Sequence, residues 1–303
     1  MWFIFALATT LIWGLAELFY KKGANEKEKY SHLKTTIFVG IVMGIHAIFI
    51  LLTQDIGYNF KNILVYLPVS FCYIFSMSLS FFGMKYIEES ISDPIENTSG
   101  AITSILCFLI LGQTISGLSI LGIIAIVIGI LLIGILEMKS SNPKSKRLGK
   151  KLAIIAFLMP FLYAIFDAIG SFLDAYYLEI SCSPLLNVTE DTIELVANTS
   201  YELTFLISAI ILIMFIILKK EKIDIKNQKD KILAAICETT GQFTYVFAMS
   251  GSAIVAAPMI SSVCVVSIIL SRIFLKEKLT LKQYGAISLV VLGILILAVA
   301  EVL

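Results

Sequence analysis

Charge is scarce in this chain. Of its 303 residues only 15% are Asp, Glu, Lys or Arg, against 58% hydrophobic residues, a balance that excludes an ordinary soluble domain. Cysteine is also scarce, and the five present (Cys72, Cys107, Cys182, Cys237, Cys264) never fall at a Cys-x-x-Cys spacing. That removes a disulfide or zinc framework and leaves them as small packing residues. There are two histidines and no His-Glu-x-x-His, so no zinc-peptidase site is expected. There is no glycine-rich phosphate loop either, so ATP hydrolysis by this chain is not expected. No metal, cofactor or nucleic acid is expected as a partner.

Long apolar runs are what the chain does have. Segments able to cross ~30 Å of hydrocarbon lie near 2–20, 35–52, 63–84, 91–111, 117–136, 152–178, 201–218, 232–250, 254–275 and 281–300. These predict an all-α integral membrane protein with ten transmembrane helices. The first run has a counterpart in the second half and no basic residue before it, so it reads as a retained span and not a cleaved leader. Lysines and arginines cluster after spans 1, 7 and 9 and between the fifth and sixth, and with ten spans all but Lys61 fall on one face. Basic residues stay on the cytoplasmic side, which predicts both termini outside in a plasma or inner membrane.

Shifted by 164 residues, Pro94 to Glu137 lies over Pro258 to Glu301 without a gap, and Gly129 falls on Gly293. A weaker match at offset 150 lays Trp13-Gly14-Leu15-Ala16-Glu17 over Tyr163-Ala164-Ile165-Phe166-Asp167. Five spans per unit is an odd number, so the second copy must insert upside down. The expected organisation is a first five-helix repeat at 1–137, a basic linker at 138–151 and an inverted second repeat at 152–303.

The Trp13-Gly14 pair, the hinge with Pro94 opening span 4, and Lys276-Glu277-Lys278-Leu279-Thr280-Leu281-Lys282-Gln283-Tyr284-Gly285-Ala286 leading to Gly293 resemble the EamA-type branch of the drug/metabolite transporter superfamily. The first copy departs by carrying Gln113 where the pattern usually has Glu. The resemblance implies a ten-helix alternating-access transporter. Its central cavity would be lined by helices 1, 3, 4, 6, 8 and 9, with helices 5 and 10 packed outside. The cargo is left open, since the family handles amino acids, organic cations, nucleotides and sugars.

Ionisable groups at membrane depth are the useful residues for cargo, because a charge there costs at least ~2.5–3.5 kcal/mol and normally faces a pathway. Glu17, Glu96, Asp167 and Glu238 qualify best. They belong to polar stripes at helical spacing: Asp93, Glu96, Asn97, Gly100, Thr103, Ser104 and Cys107 in span 4; Glu238, Gln242 and Tyr245 in span 8; Tyr163, Asp167, Gly170 and Asp174 in span 6; Thr10, Trp13 and Glu17 in span 1. Four polar faces imply one shared cavity. Trp13, Tyr163 and Tyr245, with Tyr73 and Tyr201 from other helices, put aromatic faces beside the acids, a pairing suited to cations.

Each residue has a plainer reading. Glu17 could pair with Lys21, Asp93 could cap a helix at Pro94, Asp174 and Glu202 could be interfacial acids, and His46 could be either a packing residue or a proton carrier. The expectation is a transporter of a small organic cation in exchange for protons or another coupling ion, with the lipid bilayer and a second copy of the chain as further candidate partners. Export of neutral or zwitterionic amino acids is the alternative. An intramembrane enzyme and a non-transporting sensor are more remote.

Overall fold

The computed structural model describes residues 1–24, 28–83, 89–140, 150–221, 225–274 and 279–302. The α-helices among them are α1 (Trp2–Gly23), α2 (Ser31–Thr53), α3 (Asn62–Val65), α4 (Leu67–Gly83), α5 (Glu89–Glu96), α6 (Ser99–Ile110), α7 (Gly117–Ser140), α8 (Lys150–Leu178), α9 (Ile193–Leu218), α10 (Lys229–Ile260), α11 (Val263–Phe274) and α12 (Leu281–Val302). Seven of these (α1, α2, α7, α8, α9, α10 and α12) contain stretches long and apolar enough to cross a membrane, and α4 and α11 are shorter apolar helices. The chain is an all-helical, multi-pass membrane protein.

The expected third span falls on α3 and α4, and the fourth on α5 and α6. The eighth and ninth fall on α10 and α11. α10 contains one non-helical residue, Ser252 (φ −169°, ψ 79°), and the chain reverses there. Gly251 sits against Trp2 at the start of α1, whereas Ser267 and Ser271 of α11 receive hydrogen bonds from Lys21 near the end of α1 (3.4 and 3.5 Å). This arrangement is consistent with ten crossings.

Two crossings are broken, and at matching places. α5 gives way to α6 at Asn97-Thr98, and α10 to α11 at Ser261-Ser262, positions 164 residues apart. Each break follows three residues after a proline, Pro94 or Pro258. At each, the hydroxyl at the second position donates back to the carbonyl three residues earlier: Thr98 to Ile95 (2.7 Å) and Ser262 to Met259 (2.6 Å). Such side-chain bonds compete with the backbone ladder, so the duplicated Ser/Thr positions account for the duplicated break.

The repeat-related helices α7 and α12 run antiparallel: a Cβ on Gly122 would meet Leu297, and one on Gly129 would meet Val290. Glycine permits that close approach. α6 packs equally closely on the second part of α10, with Gly100 against Ala257 and Ser261 and the Ser104 hydroxyl donating to the Ile254 carbonyl.

Two expectations need correction. α9 begins at Ile193, eight residues before the predicted span, because Asn198, Thr199, Ser200 and Glu202 are buried inside the bundle and not left in a loop. The polar run concealed the helix from hydropathy. Asp174 is likewise fully buried and accepts a hydrogen bond from the Tyr66 hydroxyl, so neither it nor Glu202 is an interfacial acid. Of the expected linker, residues 141–149 lie outside the described residues, as do Lys276, Glu277 and Lys278.

The ends of α1 and α9 and the starts of α2 and α10 share one face, the one rich in lysine. There Glu28, between α1 and α2, accepts hydrogen bonds from Lys34 of α2 (2.7 Å), Lys231 of α10 (2.6 Å) and Gln228 (2.9 Å). Burial alone would push its carboxyl up, but the two ammonium groups outweigh that and hold it at about 2.

Candidate functional site

A cavity of about 150 Å³ lies among these helices. The three polar residues it takes from α1, Trp13, Glu17 and Tyr20, recur at helical spacing and so share a face. α10 contributes Glu238, Gln242 and Tyr245 by the same rule, and α8 contributes Tyr163, Asp167 and Ser171. The broken crossings bring Asp93, Glu96, Asn97, Ser99 and Gly100 from one side and Ala257, Ile260, Ser261 and Val263 from the other. Tyr73, Met77, Ser80 and Phe81 of α4 and Tyr201 of α9 complete the wall. Among the described residues none of α7 or α12 lines it.

Of the eleven residues predicted from the sequence, ten line this one cavity: Trp13, Glu17, Asp93, Glu96, Asn97, Tyr163, Asp167, Glu238, Gln242 and Tyr245. His46 does not. Its Nδ1 is bonded to the buried Glu202 (2.7 Å) and its ring meets Phe243 edge-on, in a pair between α2 and α9 apart from the cavity wall. The outer part of the span 4 stripe is also spent on packing. Thr103 donates to Ser99 and Ala168 carbonyls, Ser104 bonds to Ile254, and Cys107 is buried. Sequence reasoning missed Tyr20 and Ser171, which continue the stripes of Glu17 and Asp167 by three and four residues and could have been found by extending them. Ser80 could have been found likewise, since Ser70, Tyr73, Met77 and Ser80 recur at three and four residues along α4, whereas Phe81 carries no such signal.

Five acids therefore face one small space. Glu96 accepts hydrogen bonds from Ser92 (2.5 Å) and Ser80 (2.8 Å), and Glu238 accepts one from Tyr20 (3.2 Å). Asp167 lies beside Ser99 and Tyr163, and Glu17 beside Ser267. Each of the last two meets a helix that follows one of the two breaks: Asp167 the first residue of α6, and Glu17 the fifth residue of α11. A carboxylate beside the start of a helix is favoured by the helix dipole. Lys21 is the described base that acts on Glu17 and Asp93.

Aromatic groups close the cavity on the side away from the lysine-rich face. Trp13 stacks on Tyr245 at 5.2 Å, Tyr245 and Tyr73 share a hydroxyl–hydroxyl bond of 2.7 Å, and Tyr73 also donates to Ser171 (3.0 Å). Beyond them lie the Tyr66–Asp174 bond and the α6–α10 contact. No group of three or more His, Cys, Asp and Glu that could hold a metal ion occurs among the described residues.

The model of the EamA-like transporter family matches residues 1–135 and 197–299. An uncharacterized protein of Methanocaldococcus jannaschii is 30% identical over 152 residues, a stretch covering 48% of this chain and 98% of that protein; the relative is thus about half as long. A solved crystal structure superposes with a TM-score of 0.72 at 12% identity, covering 98% of this chain and 96% of the other, a likeness of fold alone.

Proposed function

The chain belongs to the EamA-like transporter family, a membrane transporter of the drug/metabolite type, and from that premise we propose that it moves a small organic cation by alternating access in exchange for protons. The observation that carries this reading is the cavity itself, with five carboxyl groups and the faces of Trp13 and several tyrosines around about 150 Å³. A cavity of that size takes a ligand of roughly benzene's bulk. Carboxylates attract a cation by charge and aromatic faces by their quadrupole, whereas a carboxylate or phosphate cargo would meet repulsion.

Protons and cargo compete for Glu17 and its neighbours, so that one leaves as the other binds. The lysine-rich face is cytoplasmic by the positive-inside rule, in a plasma or inner membrane. On that orientation Tyr73 and Tyr245, with the Tyr66–Asp174 bond beyond them, form a seal between the cavity and the outside. Transport then requires the two halves to rock so that this seal opens and the inner side closes.

A thermal-stability screen of the detergent-purified protein against amines, quaternary ammonium compounds, zwitterions and anions at pH 8 and pH 6 tests the reading. A ligand at 100 times its Kd stabilises the folded state by about 2.7 kcal/mol. Stabilisation confined to amines and quaternary ammonium compounds, and weaker at pH 6, is the expected result. A response confined to anions or uncharged compounds overturns it.

A further inference from the structure

Hydrogen-bond donors facing the cavity are almost all committed. Trp13 Nε1 donates to the Glu238 carbonyl (3.2 Å), Tyr20 to the Glu238 carboxylate (3.2 Å), Ser80 to Glu96 (2.8 Å) and Asn97 Nδ2 to the Asp93 carbonyl (2.8 Å). Gln242 differs. The residue is 2% exposed and lines the cavity, yet its Nε2 has no partner among the described residues. Glu17 Oε2, on the facing helix, is a buried acceptor in the same condition.

The two lie a short distance apart. α1 and α10 run antiparallel, with Trp13 against Gly241 and Gly23 against Lys231, so Glu17 is level with about residue 237. Gln242 is then some five residues further along the axis, an offset of ~7.5 Å at 1.5 Å per residue, to which the gap between the two helices adds. One buried donor and one buried acceptor facing the same small cavity from two helices are complementary to a ligand carrying a donor at one end and an acceptor at the other.

We infer that Gln242 is a specificity-determining residue that reads a hydrogen-bond acceptor on the cargo while Glu17 holds its ammonium group, so that the preferred cargo is a small amine bearing a carbonyl or hydroxyl. The inference rests on the cationic reading above and narrows it: hydrocarbon amines are poor cargo. A hydrocarbon amine entering the site strands the Gln242 amide away from water, and a site built to bond a polar group rejects the analogue that lacks it. Spacing within the cargo matters equally. The acceptor must sit a few atoms from the nitrogen to span Glu17 and Gln242, which fits the six or so heavy atoms the cavity admits.

The test uses pairs matched in size: alaninamide against isopentylamine, and 4-amino-1-butanol against n-pentylamine, with Kd measured by calorimetry on the full chain in detergent at pH 8. The wild type is expected to bind the acceptor-bearing member of each pair about tenfold or more tightly. Gln242→Leu is expected to bring the two members to equal affinity while still binding the alkylamine. Gln242→Glu, which exchanges the donor for an acceptor, is expected to prefer 1,4-diaminobutane over 4-amino-1-butanol, and it keeps the test open if the leucine variant does not fold. Equal affinity within both pairs in the wild type, or a preference that survives in Gln242→Leu, overturns the inference and leaves the cationic reading intact. Failure of all four amines to bind the folded wild type overturns both.

Discussion

Gly100→Ala bears directly on the packing that seals one side of the cavity. A Cβ at this position would lie 2.1 Å from the Ser261 hydroxyl, 2.5 Å from the Ala257 carbonyl oxygen and 2.8 Å from the Ala257 carbonyl carbon. The serine can rotate away, but the Ala257 backbone cannot, so α6 and the second part of α10 must separate by several tenths of an ångström or more. Overpacking of this kind costs ~1–3 kcal/mol, and the Ser104–Ile254 hydrogen bond one turn away, worth about 1 kcal/mol, is strained with it. Replacing a helical glycine by alanine returns about 1 kcal/mol, which leaves a net loss of ~1–3 kcal/mol. Gly285→Ala is the control, since nothing lies within 4 Å of a Cβ there and only the gain of up to about 1 kcal/mol remains. The two variants then differ by ~2–4 kcal/mol, and at ~2–4 °C per kcal/mol thermal unfolding in detergent should place Gly100→Ala roughly 4–16 °C below Gly285→Ala. Equal midpoints for the two variants would refute the close contact of the two broken crossings.

Tyr66→Phe removes the donor to Asp174 and leaves a fully buried carboxyl with no bonded partner, which should lower stability by ~1–3 kcal/mol; an unchanged melting temperature would mean that Asp174 is not sealed as described. Glu28→Gln withdraws the countercharge shared by Lys34 and Lys231, and since Glu28 is only partly buried the cost at pH 7 should fall at the low end of the usual range, about 3 kcal/mol. Because the Glu28 carboxyl is held below its ordinary 4.5, at about 2, its contribution is complete above about pH 4.5 and is lost as pH falls toward 2. Wild type and Glu28→Gln should therefore converge in stability across that window, and parallel curves from pH 7 to pH 2 would contradict the clamp. His46→Asn should leave ligand stabilisation intact, since His46 lies apart from the cavity; abolished ligand binding in a folded variant would restore it to the site.

The membrane class and the cavity were legible in the sequence because both follow from periodicity. A span announces itself by hydropathy, and a helix that faces water on one side repeats its polar residues every three or four positions, so Glu17, Asp167 and Glu238 with their neighbours could be gathered before their helices were placed. The same rule misled in the outer part of span 4, where Thr103, Ser104 and Cys107 keep the spacing but bond to or pack against adjacent helices. Periodicity finds a face, and it does not say whether the face meets water or another helix. The breaks at Asn97-Thr98 and Ser261-Ser262 were not legible from Pro94 and Pro258 alone, since prolines are tolerated as kinks in membrane helices. The duplicated Thr98 and Ser262, each bonded back three residues, carry the missing information. For His46 the choice between packing residue and proton carrier stayed open, because depth in the membrane is readable from sequence and the direction across the bundle is not.

The central claim, exchange of a cation for protons, is tested most directly in sealed vesicles. Protein reconstituted into liposomes with an acidic interior and neutral exterior would be given radiolabelled choline and tetramethylammonium, whose fixed charge prevents passage through the lipid. The account predicts that at least one of them accumulates inside only while the pH gradient stands, that protons leave as it enters, and that Glu17→Gln, though folded, does neither. Entry no faster than into protein-free vesicles, or entry indifferent to the gradient, would contradict it.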